Sequence, residues 1–512
     1  MDSIKVTIFK NIFQSISDEM GKILQRSAFS PNIKERNDFS CALFTAKGES
    51  FAFGSHIPVH LGAMPLSVKT ALEEIKFEEG DTVILNDPYR GGTHLPDITL
   101  ITPFFYKGEL LFIVANRAHH SDVGGMQAGS MPLASEIFQE GLIIPPLKII
   151  KKGKIDNEIM NFILSNVRTP IERSGDLMAQ IAANERGIKR LEEITNKYGV
   201  EKVKKYAESL IDYTERLFKK FLFSLPKGEF EFEDYLDDDG FGNKDIKISV
   251  KIKSGSKKII FDFSESSSSV TGGINANRAI VFSAVLYVLT TLMEDDVPIN
   301  SGIMKPVKLI LRKGSILDPE KPSAMAAGNV ETSQRIVDVI LGAFSRMLPE
   351  KIAAASQGTM NNVSFGGKGY TYYETIGGGS GAGKGFDGTS AVHTHMTNSL
   401  NTPVEAMERN FPIIIKRYSV RKNSGGKGKW RGGDGIIREY EFLENAEVSV
   451  LSERRNYNPY GLFGGNNGRK GENILIRNGK KIKLKGKFNL SVRKGDILII
   501  KTPGGGGYGE KG

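Results

Sequence analysis

Between residues 157 and 223 apolar side chains recur at three- and four-residue spacing in three successive runs, NEIMNFILSNV, GDLMAQIAANERGIKRLEEITNKY and KVKKYAESLIDYTERLFKKFL. On either side the pattern changes to short apolar segments bounded by Gly, Pro and Asp, as sheet strands are. A helical block set between strand-rich blocks predicts a multidomain α+β fold with mixed or antiparallel sheets.

Residues 1–30 and 62–76 have helical patterns, and DFSCALFTAKGESFAFG between them predicts a hairpin turning at Lys47-Gly48. Strands follow at 81–87, 98–106 and 109–117, and return after the helical middle at 228–236, 246–252 and 257–263. A serine-rich turn at 264–269 precedes an apolar helix near 273–293, and a further helix is expected from Thr332 to Met347. The last third is rich in glycine, but aromatic and apolar residues interrupt it throughout, so it reads as short strands with ordered loops and not as linker. The chain divides accordingly into an N-terminal α+β region (1–155), a helical region (156–225), a second α+β region (226–350) and a glycine-rich, β-rich C-terminal region (351–512).

A chain of 512 residues exceeds what one core organises, and its 39% apolar and 25% charged content is that of an ordinary folded protein. No run of about 18 apolar residues occurs. The nearest, Ile280 to Met293, is too short and carries Ser and Thr, so no membrane span is expected. The N-terminus mixes acids and bases along an amphipathic helix and does not follow a signal peptide's pattern, which makes the cytoplasm the expected location. The single cysteine, Cys41, excludes an intrachain disulfide and a CxxC metal knuckle, and it reads as core. The net charge of +10 comes from lysines in stretches such as 147–155 and 480–488. These alternate as strand faces do and lack an aromatic platform, so solvated β surface is expected and nucleic-acid binding is not.

The chain has seven histidines, and each stands within about four positions of another histidine or an aspartate: His56 and His60, His94 with Asp97, His119-His120 with Asp122, and His393 with His395. Imidazole and carboxylate bind divalent metals and titrate near neutral pH, so a metal or acid–base centre explains the grouping economically. Histidines that only pin loops together are the alternative. A hairpin of 98–106 and 109–117 closed by Lys107-Gly108 puts Asp97 opposite Ala118 and gathers His94, Asp97, His119, His120 and Asp122 at its open end. If the pleat is unbroken, Asp97 and His120 share a face while His119 points away. Such nitrogen and oxygen donors with an open position suit Mn, Zn, Fe or Mg, with His60, Asp87, Asp122 or water as the further ligand.

Arg117, beside this group, either orients a substrate carboxylate or carbonyl or forms an ion pair with Asp87 or Asp97. In VHTHMTN (392–398), strand geometry turns His393 and His395 toward one cleft; alternatively they cap neighbouring strands. GGSGAGKG (378–385) nearly matches a phosphate-binding loop, but Gly385 stands where Ser or Thr should hold Mg and no long helix follows. Its glycines still leave room for backbone amides to approach a substrate anion.

Read together, SHIPVHLGAMP (55–65), NDPYRGGTHLPDITL (86–100), ANRAHHSDVGGMQAGSMP (115–132), EIFQEGLIIPP (136–146), GDLMAQIAANERG (175–187) and DGTSAVHTHMTNSLNTPVE (387–405) resemble the hydantoinase B / 5-oxoprolinase family across essentially the whole chain. That family is related to the alpha subunits of acetone and acetophenone carboxylases. The resemblance implies a hetero-oligomer whose partner, a hydantoinase A-type ATP-binding subunit, holds ATP-Mg and phosphorylates the substrate carbonyl. The present chain would hold one divalent metal through His94, Asp97 and His119 or His120, and our expected set is His94, Asp97 and His120, with His393 or His395 carrying protons. Ser55 stands where members often have an acid, so a ligand from that place is not carried over. The implied reaction is ATP-dependent opening of a five-membered cyclic amide or imide such as hydantoin, N-methylhydantoin or 5-oxoproline. Phosphorylating the poorly electrophilic carbonyl creates a leaving group there. The alternatives are a ketone-carboxylase subunit and, in another class, a non-catalytic assembly subunit.

Overall fold

The computed structural model describes residues 3–54, 57–293 and 297–510, and a seven-stranded sheet organises its N-terminal part. The strands are β1 (Phe39–Thr45), β2 (Ser50–Phe53), β3 (Thr82–Leu85), β4 (Asp97–Tyr106), β5 (Glu109–His119), β6 (Leu147–Lys151) and β7 (Lys154–Ile155), in the order β2-β1-β5-β4-β3-β6-β7. Every neighbouring pair is antiparallel.

Two layers cover this sheet. On one face, Phe9, Phe13, Met20 and Leu24 of helix α1 (Ser3–Ser27) pack against Cys41, Leu43 and Val114, confirming Cys41 as core. After the short α2 (Pro31–Lys34), α3 (Pro58–Leu61) and α4 (Ala63–Glu74) lie on the opposite face. The helical middle forms α5 (Asn157–Ser165), α6 (Pro170–Tyr198) and α7 (Val200–Ser224). Asp156 starts α5 by accepting from the Glu158 and Ile159 amides, and Pro170 stands in the first turn of α6, where no helical N–H is lost. Ala183 and Leu191 of α6 and Leu210 of α7 complete the α1 side.

A second sheet contains β8 (Gly228–Asp238), β9 (Lys244–Ser254), β10 (Ile259–Asp262) and β11 (Val307–Ile310), with β10 and β11 parallel. Helices α8 (Arg278–Leu292) and α9 (Ser333–Met347) join its apolar face to α4 and the first sheet, so 1–155 and 226–350 share one apolar cluster. A π-helical turn, Gly328–Thr332, leads into α9.

The C-terminal region contains two antiparallel sheets. One has β12 (Asn362–Gly367), β13 (Tyr370–Glu374), β16 (Ala446–Leu451) and β19 (Lys487–Val492); the other has β14 (Ile413–Arg421), β15 (Gly435–Phe442), β17 (Glu472–Arg477), β18 (Lys480–Leu484) and β20 (Ile497–Lys501). Phe365, Tyr372, Tyr440, Phe442 and Leu498 pack between them. The glycine-rich loops are ordered by backbone-on-backbone packing: a Cβ at Gly379 would stand 1.9 Å from the Gly433 carbonyl oxygen, and one at Gly505 1.9 Å from that of Ser380. The architecture is the expected α+β arrangement with a helical middle and a β-rich C-terminal third. Among the described residues no helix is long and apolar enough to cross a membrane.

Candidate metal centre

β4 and β5 turn at Lys107-Gly108, and beside the turn Tyr106 pairs with Glu109 and Phe105 with Leu110, in the expected register. Leu111 then has no partner, because Phe104 pairs with Phe112. This β-bulge adds one residue to β5, and Leu111 and Phe112 both face the α1 side. The ladder beyond it is displaced by one, so Asp97 stands opposite His119 and not opposite Ala118.

A one-residue displacement exchanges the two faces of a strand. His119 therefore shares the α4 face with Asp97, whereas His120 turns to α6, with its Nε2 2.9 Å from Gln180 Oε1. The expectation that His120 joins Asp97 and His119 points away is thus reversed, and the bulge is the cause.

His94 reaches the same place from a tight loop after a 3-10 turn, Pro88–Arg90. Gly91 permits that loop: its φ is 86°, and a Cβ there would stand 2.7 Å from the Leu66 backbone. His94 Nε2 then lies 3.1 Å from Asp97 Oδ1 and 3.2 Å from His119 Nδ1, and His119 Nδ1 lies 3.3 Å from Asp97 Oδ1. Donor atoms about 2.1 Å from one ion, at angles of about 90–110° to one another, lie about 3.0–3.4 Å apart. The three side chains have the spacing and chemistry of one divalent coordination sphere.

Their surroundings agree with that fit. His94 Nδ1 lies 3.2 Å from the Ala326 carbonyl oxygen, which can only accept, so Nδ1 carries the proton and Nε2 presents a lone pair inward. Asp97 Oδ1 is buried with no hydrogen-bond donor among the described residues. The other carboxylate oxygen, Oδ2, accepts from Thr93 Oγ1 at 2.5 Å and Asn329 Nδ2 at 3.4 Å, and His60 Nε2 stands 3.3 Å away. His60 Nδ1 is 3.0 Å from Ser40 Oγ, which also accepts from the Ile57 amide. His60 thus braces Asp97 from its outer side. Tyr373 stacks on the His119 ring at 4.4 Å. Burial pushes the Asp97 carboxyl up, but the nearby His94, His60 and His119 imidazoles hold it well below the usual carboxylate range. Burial pushes His119 down, against the pull of Asp97, which favours the neutral imidazole a metal needs.

The remaining expected residues have other contacts. The Asp87 carboxylate accepts from the Tyr89 amide and caps the 3-10 turn. Asp122 accepts from the Arg168 amide at 2.7 Å and from Arg168 Nη1 at 2.9 Å. Arg117 forms neither expected ion pair: Nε donates to Thr99 Oγ1, Nη2 donates to Ser67 Oγ, and Nη1 has no partner among the described residues. Burial pushes its guanidinium down to about 10.

His393 and His395 do not share a strand face. The chain leaves its bridge to Gly378 at Val392, and His395 has a left-handed φ of 57°, so the rings diverge. His393 Nε2 lies 3.4 Å from Asn401 Oδ1, while His395 Nδ1 lies 3.4 Å from the Tyr287 hydroxyl and its Nε2 3.9 Å from Asp338. The 378–385 loop offers few amides to an anion, since those of Gly378, Gly379, Ser380, Gly381, Ala382 and Gly383 donate within the protein. His56 and Ser55 lie outside the described residues.

Sequence reasoning missed Thr93, Asn329 and Tyr373. Thr93 adjoins the His94–Asp97 motif and was within reach of inspection, but Asn329 comes 232 residues after Asp97, carried in by the π-helical turn before α9. No local signal marks such a meeting.

Several known proteins are similar to this chain. The chain is 43% identical to a 5-oxoprolinase of Dictyostelium discoideum over 100% of its own length, and it spans 40% of that relative. It is 31% identical to a protein of Pseudomonas sp. (strain NS671) named as the B-type subunit of a D-/L-hydantoinase, covering 100% of this chain and 90% of that one. The solved structure of an ATP-dependent caprolactamase from Pseudomonas jessenii superposes with a TM-score of 0.93 at 27% identity, covering 100% of this chain and 91% of the other. The family model for hydantoinase B/oxoprolinase matches residues 2–511, and the chain belongs to that family.

Proposed function

We propose that this chain is the metal-site component of an ATP-dependent cyclic amidase, acting with a hydantoinase A-type subunit that holds ATP-Mg. The observation that carries the reading is the convergence of His94 Nε2, Asp97 Oδ1 and His119 Nδ1 at 3.1–3.3 Å around an otherwise unsatisfied carboxylate oxygen. A divalent ion held there, Mn, Zn, Fe or Mg, supplies Lewis acidity toward a carbonyl and toward water.

The chain's own residues do the rest. Ala326 fixes the His94 tautomer, and Thr93, Asn329 and His60 orient Asp97 through its outer oxygen. The unpartnered Arg117 Nη1 provides a donor for a substrate carbonyl or carboxylate. Between Ser40 and Asp97, His60 is better placed than His393 or His395 to move a proton near the carboxylate. Phosphorylation by the partner would make the ring carbonyl a competent electrophile before it meets this centre. The substrate class is a five-membered cyclic amide or imide: hydantoin, N-methylhydantoin or 5-oxoproline. The partner is inferred from the relative named as a hydantoinase B-type component and from the chain's 40% span of the 5-oxoprolinase.

The test is to co-express the chain with a hydantoinase A-type subunit, measure bound metal by mass spectrometry, and assay ring opening of the three substrates with and without ATP. Stoichiometric metal and ATP-dependent opening are expected. A complex without metal, or one that carboxylates acetone with ATP and opens no ring, refutes the amidase assignment.

A further inference from the structure

Three lysines of β9 each have an acid of β8 beside them: Lys247 with Glu233 at 3.8 Å, Lys251 with Glu231 at 3.7 Å and Lys253 with Glu229 at 2.9 Å. The β17–β18 hairpin is different. Across it, Lys481 pairs with Ile476 and Lys483 with Ile474. A cleft of about 960 Å³ opens beside the hairpin, and Arg469, Lys470, Lys481, Lys483 and Lys485 line it. None of these five side chains has an ion-pair partner among the described residues. The two acids in the cleft are already engaged: Glu472 by Arg421 and Lys501, and Asp238 by Lys487 at 4.0 Å.

The lining also includes a guanidinium that has no ion-pair partner among the described residues. Arg455 is half-buried, its Nη1 and Nη2 donate only to neutral acceptors on Asn361, Glu453 and Asn473, and its Nε has no partner among the described residues. Gly471 leaves room for it, since a Cβ there would stand 2.7 Å from the guanidinium carbon. Glu331, Asp237 and Glu453 act on this guanidinium from within the protein, but the five cations beside it lack ion pairs, so an anion in the cleft would be stabilised by them.

We propose that this cleft binds a compact, multiply charged phosphate anion of the pyrophosphate type. Its volume falls within the range of small-molecule sites. No aromatic side chain lines it, which removes the stacking platform that single-stranded nucleic acid uses. Lysine ammoniums on flexible stems together with arginine forks suit clustered phosphate oxygens. The competing explanation is that edge-strand lysines on β18 only discourage strand addition, which requires no saturable site.

The test is calorimetric titration of the full chain with inorganic pyrophosphate at about 50 mM and about 300 mM salt, where screening differs strongly. One saturable site is expected, weaker at high salt and weaker for orthophosphate. Lys483→Glu and Lys485→Glu should each reduce affinity roughly ten-fold. Lys253→Glu, which changes net charge equally in the paired ladder, should leave affinity unchanged. Absence of saturable binding, equal loss in Lys253→Glu, or binding of a single-stranded oligonucleotide that pyrophosphate does not displace would overturn the proposal.

Discussion

Asp97 faces His119 across the β4–β5 ladder, with their donor atoms 3.3 Å apart, because Leu111 is an extra residue in β5. Without the bulge the neighbouring imidazole, His120, would share the face with Asp97. The pair therefore distinguishes the centre sharply. His119→Gln should abolish metal retention, whereas His120→Gln, which disturbs only the contact with Gln180, should retain metal within about a factor of two. Elemental analysis after gel filtration checks this; the reverse ranking would remove His119 from the centre.

What was legible in the sequence follows from the range of the interactions involved. The period of 157–223 and the strand runs at 98–106 and 109–117 reflect local side-chain alternation, and α5 to α7 and β4 and β5 appear there. That His94 and Asp97 meet the 119–120 histidine pair was legible because a hairpin joins residues close in sequence, but the choice of His120 over His119 was wrong. The bulge was not legible, because Leu111 looks like any apolar strand residue, and its displacement is decided by packing against the α1 side. His393 and His395 illustrate the same limit: one left-handed residue at 395 defeats a face assignment that alternation alone would make.

Thr93 donates to Asp97 Oδ2 at 2.5 Å and is buried, so Thr93→Val keeps the volume and removes the hydrogen bond. Outer groups that orient metal ligands typically contribute 10–100-fold to affinity. Metal affinity should therefore fall by about that factor in a competitive chelator titration. A change below roughly two-fold would mean that Thr93 does not position the carboxylate.

Asp87 and Asp122 provide the opposite control, since both carboxylates serve the backbone and not the centre. Asp87→Ala removes the cap on the 3-10 turn and should cost about 1 kcal/mol. Asp122→Ala leaves the Arg168 amide unpaired and should cost about 1–2 kcal/mol. Denaturant titration should reveal both losses while bound metal stays at the wild-type level; loss of metal in either variant, with the fold intact, would widen the ligand set.

Glu140 connects the centre's surroundings to pH. It is fully buried, Oε1 accepts from the Met325 and Ala326 amides, and Ala326 in turn holds His94 through its carbonyl oxygen. Burial pushes its carboxyl from 4.5 to about 8, and the two amide hydrogen bonds only partly oppose this. Between 4.5 and about 8 the native chain thus keeps a proton that the unfolded chain has released, so this group's contribution to stability falls as pH rises across that window. Glu140→Gln retains an oxygen acceptor for both amides and removes the titration. The variant should gain stability relative to the wild-type chain by a few kcal/mol between pH 5 and about 8, and by no more above that. Glu331, also pushed up to about 8 by burial, is present in both proteins, so its slope cancels in the difference. Paired denaturation curves across that range measure the effect, and a difference independent of pH would show that Glu140 is ionised in the fold.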